Sequence, residues 1–239
     1  MRPKSGGLLN AEAEAITLAS GSNLALALRV LPQGRRNDMR VFYAFCRIVD
    51  DLADEPGLAM EQRRAGLSAW RKALEACERF EDEPPLASAL REVLERHAVP
   101  SQWAVEIVRG CEMDLEGTRY RTWEELRCYC YRVASAVGLV SARIFGGNNC
   151  ETYAEELGIA LQLTNILRDS AEDFSMAGRV YFPADELERF GVEPGSWARA
   201  QSRGWHDFMQ FQVNRARAYY QAAAASLPST QRRTMVAAE

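Results

Sequence analysis

Two acidic stretches of the sequence carry residues whose types and spacing could do chemistry. In Gln162-Leu163-Thr164-Asn165-Ile166-Leu167-Arg168-Asp169-Ser170-Ala171-Glu172-Asp173, the polar residues Gln162, Asn165, Asp169 and Asp173 recur at steps of three, four and four. Residues so spaced share one stripe of a helix. Leu157, Ile159, Leu161, Leu163, Ile166 and Leu167 predict that much of the helix circumference is buried. Two carboxylates and two amides along one line of such a helix are costly unless something satisfies them, and like charges at i, i+4 repel. A bound cation removes both objections.

The second stretch has the same rhythm. Tyr43, Arg47, Asp50 and Asp54 step by four, three and four, with Val41, Phe42, Phe45, Ile48, Val49 and Leu52 on the other sides. An acidic helix end is commonly a solvated face or an intrahelical pair, and Arg47 with Asp51 at i, i+4 is such a pair. Two copies with matched spacing, both within apolar helices, favour a functional reading. Oxygen ligands without His or Cys suit a hard cation, Mg²⁺ or Mn²⁺, which binds through a few carboxylates and substrate phosphate oxygens. The pattern predicts two facing Asp helices with magnesium clamping a diphosphate between them.

The elements that must position these residues read as helices throughout. Helical patterning covers Ala11–Ser20, Ser22–Leu31, Arg36–Asp54, Ala59–Phe80, Leu86–His97, Gln102–Leu115, Trp123–Phe145, Ala154–Asp173 and Trp205–Ser226 after a loose polar start at residues 1–10. Breaks such as Pro32-Gln33-Gly34, Glu83-Pro84-Pro85 and Gly146-Gly147 separate them. Ser101 and Thr122 read as N-caps, the latter a capping box with Glu125. No alternating strands or repeats occur. The expected architecture is all-α, one multi-helix domain over residues 1–239 with a central cavity.

Composition narrows the function classes. With 47% hydrophobic and 26% charged residues, the chain can build a full core. A net charge of −4 gives no footprint for nucleic acid. Six scattered cysteines and two histidines make a zinc site unexpected and reduced thiols in a cytoplasmic protein the default. There is no signal-peptide core near the N-terminus and no run long enough to span a bilayer.

Two further segments bear on a binding cleft. Ala134 and Gly138 share a face with Val137 and Ser141, a small-residue side that suits either close helix packing or a smooth apolar wall for a long hydrocarbon tail. Tyr129 precedes Val133 by one turn on that side, where an aromatic face could stabilise a carbocation. Beyond Asp173, Phe174 to Pro183 reads as a loop able to act as a flap over a metal site. Its Arg179 is equally a phosphate contact or a solvated charge.

The motif from Tyr43 to Asp54, the segment from Tyr129 to Gly138, and the stretch from Gln162 to Asp173 with Gly178-Arg179-Val180-Tyr181 resemble the squalene/phytoene synthase family. The likeness runs from about Ser20 to about Pro228. It implies the isoprenoid synthase fold and head-to-head joining of two prenyl diphosphates. It further implies Asp50, Asp54, Asp169 and Asp173 as magnesium ligands. Tyr43, Arg47, Gln162, Asn165 and Arg168 would line the diphosphate sites, Tyr129 would face the reacting carbons, and Val133, Ala134, Val137, Gly138 and Tyr181 would contact substrate. A hydride from NADPH, or loss of a proton, would set the final product.

Three departures from the family pattern stand out. Ser22-Asn23-Leu24 replaces a Ser-Ser-Phe-like phosphate contact, the segment from Asp173 to Gly178 is one residue longer, and the family's further C-terminal helices are missing after Glu239, so a weakened or inactive chain with an opened tunnel is expected. The residues from Arg132 to Gly146 look closer to bacterial presqualene diphosphate and squalene synthases than to plant-type phytoene synthases. That predicts farnesyl diphosphate as substrate, with geranylgeranyl diphosphate giving phytoene as the alternative. The rivals from other classes are a head-to-tail prenyl synthase or terpene cyclase, and a non-catalytic scaffold on the same fold. Peripheral membrane contact during release of a greasy product is an open expectation that no basic amphipathic helix or lipidation signal supports.

Overall fold

The computed structural model of the chain describes residues 31–54, 57–76, 80–117, 119–194 and 203–235. The expected helices Ala11–Ser20 and Ser22–Leu31, and Ser22-Asn23-Leu24 within the latter, lie outside the described residues apart from Leu31. The described helices are α1 (Gln33–Asp54), α2 (Met60–Glu75), α3 (Ala87–Arg96), α4 (Ser101–Glu116), α5 (Trp123–Cys130), α6 (Ala136–Phe145), α7 (Glu151–Ala177), α8 (Ala184–Arg189) and α9 (Arg203–Ser226). A π-helical turn at Tyr131–Ser135 joins α5 to α6, and a 3₁₀ turn at Ser229–Gln231 follows α9. Among the described residues the only β-type pairing is a bridge between Arg119 and Val180. The all-α expectation holds. No described helix is long and apolar enough to cross a membrane.

Apolar periodicity explains how the helices pack. On α1 the buried positions Met39, Phe42, Phe45, Val49 and Ala53 lie three or four apart. They pack against α2, α3, α4 and α6, and Phe42 and Phe45 are fully buried. A second core gathers Tyr120, Leu126, Tyr129, Tyr181, Phe182 and Phe208 under α5, α8 and α9. The longest described helix, α7, lies along α9 on one side and along the π turn and α6 on another. Arg35 at the start of α1 donates from Nη1 to the carbonyl oxygen of Ile144 at 3.1 Å. A cation there meets the negative end of α6 and locks the far ends of two helices together.

Local differences from the expected elements have physical reasons. Trp123–Phe145 is not one regular helix, because the π turn inserts an extra residue before α6. Ser101 is the first residue inside α4 rather than its cap, with Pro100 at the cap position and no side-chain hydrogen bond there. Thr122 does cap α5, accepting from the Glu125 N–H at 3.4 Å. Glu125 reaches back one residue further than a capping box requires, to the Arg121 N–H at 2.6 Å. The segment after Asp173 was expected to be loop, but α7 continues to Ala177 and Gly178 ends it at φ 64°. Two backbone bonds close that end, Gly178 N–H to Phe174 O at 2.9 Å and Arg179 N–H to Asp173 O at 3.2 Å. The short helix α8 was not expected.

The π turn is clamped rather than loose. Ser135 Oγ donates to the Glu155 carbonyl of α7 at 2.7 Å. Gly158 lies so close that a Cβ there would sit 2.5 Å from Ser135 Cα. Backbone cannot step aside as a side-chain tip can. Gly158→Ala is therefore expected to destabilise the fold by about 1–3 kcal/mol and to lower the melting temperature by several degrees, measured by thermal circular dichroism. An unchanged midpoint would show that the two elements are not packed this closely.

Candidate active site

The acidic stripes sit at one end of a cleft walled by α1, the π turn with α6, and α7. A polar cavity of about 290 Å³ is lined by Tyr43, Arg47 and Asp50 of α1, Asp114 of α4, Tyr129 of α5, Val133 and Val137, and Gln162 of α7. An apolar groove of about 490 Å³ continues from it, lined by Phe42, Ala134, Gly138, Phe145, Leu157 and Asn165 among others. The two spaces share Tyr43, Cys46, Val133, Val137 and Gln162 as walls. The face of each helix changes character along its length. Toward Asp54 on α1 and toward Asp173 on α7 it is acidic, and in the opposite directions, past Phe42 and Gly158, it is apolar.

The sequence-predicted residues divide accordingly. Tyr43, Arg47, Asp50, Tyr129, Val133, Ala134, Val137, Gly138, Gln162 and Asn165 wall the polar cavity or the groove. Asp54, Asp169, Asp173 and Arg168 lie outside those walls, one or two helical turns toward the solvent end of their helices. The stripe itself is wetter than the flanking apolar residues suggested. Asp50 and Asp54 side chains are 57% and 52% exposed, and Leu161 on α7 is 47% exposed. The polar stripe borders the open cleft, where Asp50 and Asp173 are still partly desolvated. Gly138 serves both readings of the small-residue side. It lines the groove, and a Cβ there would lie 2.9 Å from the Ala154 carbonyl oxygen of α7.

Each arginine of the site sits on an aspartate. Arg47 pairs within α1 with Asp50 at 3.3 Å and Asp51 at 2.6 Å. Arg168 binds Asp169 in a fork, Nε to Oδ1 at 2.7 Å and Nη2 to Oδ2 at 2.6 Å. Arg179 crosses from the end of α7 to α1, its Nη2 2.8 Å from Asp54 Oδ1. That contact joins the two acidic stripes directly. Burial, then the charge of Asp54, holds the Asp50 carboxyl above its ordinary range. Burial, then Asp169, does the same for Asp173, with Asp54 contributing from across the cleft. Hydrogen bonding from Arg168 lowers Asp169 instead.

The carboxylates suit a divalent cation in kind. All are oxygen donors, and Asp50 and Asp173 carry repulsion that such an ion would relieve. Among the described residues, no three metal-ligating side chains are gathered as closely as around an ion.

One acidic residue escaped the sequence reading. Asp114 of α4 accepts from Tyr129 Oη at 3.3 Å through Oδ2, while its Oδ1 is buried without a hydrogen-bond partner. No second polar residue at helical spacing marks it. Tyr129 stacks on Tyr181 at 5.5 Å and lies 5.4 Å from the Tyr120 ring, so Tyr181 reaches the cavity through Tyr129.

A sequence profile described as squalene/phytoene synthase matches residues 18–238. The chain belongs to the squalene/phytoene synthase family. Members of the family are prenyltransferases. The phytoene synthase of Mycobacterium bovis is 36% identical over 231 residues, covering 92% of this chain and 74% of that protein. The presqualene diphosphate synthase of Zymomonas mobilis is 41% identical over 178 residues, covering 73% of this chain and 60% of that protein. The squalene synthase HpnC from Alicyclobacillus acidocaldarius superposes with a TM-score of 0.81 at 26% identity, covering 95% of this chain and 87% of that one. The family membership matters because Asp50-Asp51-Leu52-Ala53-Asp54 is itself a DDxxD arrangement. Alone, that motif does not separate head-to-head from head-to-tail chemistry.

Asp114 has a consequence for stability. Burial holds its carboxyl up at about 7, against the Tyr129 hydrogen bond that lowers it. The folded chain thus binds this proton more tightly than the unfolded chain, whose aspartate titrates near 4. Stability is expected to fall as pH rises from about 4 to about 7 and to change no further through this group above that. In Asp114→Asn the loss between pH 5 and pH 8 should shrink by on the order of 2 kcal/mol, measured by urea denaturation at both pH values. Identical pH dependence in the two proteins would contradict the assignment.

Proposed function

We propose that the chain catalyses magnesium-dependent head-to-head condensation of two farnesyl diphosphates to presqualene diphosphate, which gives squalene when it loses its remaining diphosphate and takes a hydride from NADPH. The observation that carries this reading is the shared wall between the acid-lined cavity and the apolar groove. An anionic head and a long hydrocarbon tail need adjacent spaces of opposite character, and Tyr43, Cys46, Val133, Val137 and Gln162 stand at the seam.

Asp50, Asp54, Asp169 and Asp173 would hold Mg²⁺, with Mn²⁺ as a substitute. The ions would supply positive charge against the diphosphate leaving group. Arg47, Tyr43, Gln162 and Asn165 hold diphosphate oxygens by hydrogen bonds and charge, joined by Arg168 when it turns from Asp169. Arg179 gives up Asp54 and meets the same anion. As the allylic C–O bond breaks, its electron pair leaves with the diphosphate, whose growing charge these groups stabilise. Tyr129 presents an aromatic face to the resulting cation. The double bond of the second substrate attacks it and, with loss of a proton, gives a cyclopropyl diphosphate. The groove keeps water away from the cation.

The 41% identity with the presqualene diphosphate synthase of Zymomonas mobilis supports this product. Geranylgeranyl diphosphate giving phytoene is the second reading, favoured by the relatives named phytoene synthase.

Asp54→Ala and Asp169→Ala are expected to lose about 100-fold or more in turnover with a nearly unchanged melting temperature, since both side chains are solvent-accessible. A scaffold would show no dependence on either residue. Incubating the protein with each diphosphate and Mg²⁺, with and without NADPH, and identifying products by mass spectrometry separates presqualene diphosphate, squalene and phytoene. Turnover of geranylgeranyl diphosphate alone would replace the first reading by the second.

A further inference from the structure

One contribution to the lining of the apolar groove comes from an element outside the helices that carry the site. Leaving the polar cavity, the groove runs past Val137 and Ser141 on α6 toward the end of that helix at Phe145, and Met39 on α1 and Tyr153 on α7 line it too. Met235 belongs to the same lining. It is fully buried although it lies in the last described turn of the chain. A Cβ placed on Gly147 would come within 2.6 Å of its Cε, so the thioether methyl is seated on the backbone just beyond α6. The segment carrying it is folded back onto that corner. The Asn148 N–H points to Gln231 Oε1 at 3.4 Å, the Gln231 N–H donates to Pro228 O at 2.8 Å, and the Thr234 N–H donates to Gln231 O at 2.9 Å. Leu227 is buried behind it.

We propose that Met235 is the floor of the groove and sets the longest prenyl tail that the chain accepts. The inference rests on the reading of the groove as the site of that tail. Three walls of the groove belong to long helices that cannot move without disturbing the acidic mouth. The fourth contribution comes from a short segment attached to the end of α9, so its side chain adjusts depth without altering the chemistry. An unbranched thioether fills an irregular end more readily than a branched residue does. Adding or removing bulk there changes the space available to the terminal isoprene unit and leaves the diphosphate end untouched.

The test uses the whole chain and a series of prenyl thiodiphosphates (geranyl, farnesyl, geranylgeranyl), in which sulfur replaces the bridging oxygen so that the tail does not ionise. Affinities are measured by calorimetry with Mg²⁺ for the parent, Met235→Ala and Met235→Trp, after circular dichroism has verified folding. Met235→Ala is expected to shift the affinity ratio toward the longer tail by about ten-fold or more, and Met235→Trp toward the shorter tail by a similar factor. If Met235→Ala fails to fold, Met235→Trp decides alone. Unchanged length preference in a folded variant, with tight binding retained, overturns the role of Met235 and leaves the site reading intact. If the parent binds none of the three, the site reading falls and the floor with it.

Discussion

Charge repulsion at the mouth of the cleft is the constraint on which the rest depends. α1 and α7 each place two aspartates four residues apart, and the two helices bring them to the same opening. Asp50 and Asp173 are both held above the ordinary carboxylate range by burial and by neighbouring acids. In the resting chain this is offset by arginine pairs, Arg47 with Asp50 and Asp51, Arg168 with Asp169, and Arg179 with Asp54. All of them are at least partly open to water. Such pairs contribute about 0–1 kcal/mol each, so they can exchange partners at little cost. The mouth thus keeps an excess of acidic charge for cations to meet, while its three arginines can be released to a polyanion.

The apolar half of the cleft depends on close backbone approach. Gly138 meets the Ala154 carbonyl and Gly158 meets the Ser135 backbone, which brings α7 against α6 and the π turn. Gly110 does the same on the opposite side, where a Cβ would lie 2.6 Å from Val133 Cγ1. Larger residues at these points would spread the helices and admit water. Burial of the groove and separation of the acids at its mouth therefore come from one set of helix contacts. Tail and head sites are not independent modules.

Much of this was legible in the sequence because it is periodic. Helix positions follow from apolar spacing, and polar residues at steps of three and four identified both stripes, the cavity residues Tyr43, Asp50 and Gln162, and Asn165 on the groove. What was not periodic was not legible. Asp114 belongs to no pattern, and its role follows only when α4 carries it beneath Tyr129. Arg179 was ambiguous because a loop charge acquires meaning from what faces it, here Asp54, 125 positions earlier in the chain. The continuation of α7 through Ala177 depends on Gly178 adopting a left-handed conformation, which composition alone permits without requiring. The exposure of Leu161 shows the converse limit, since apolar spacing identifies a face without saying whether a neighbour covers it.

The π turn at Tyr131–Ser135 has an evolutionary consequence. An extra residue in one turn offsets everything before it by about 100° relative to a regular helix. Tyr129 can thus point into the aromatic cluster while Val133 and Val137 remain on the cleft wall. Loss of a single codon within those five residues would restore an uninterrupted spiral and swing the phenol out of alignment with the hydrocarbon channel. Length in this segment is therefore constrained together with the residues it carries, since Val133 and Ala134 wall the cleft and Ser135 ties the turn to α7.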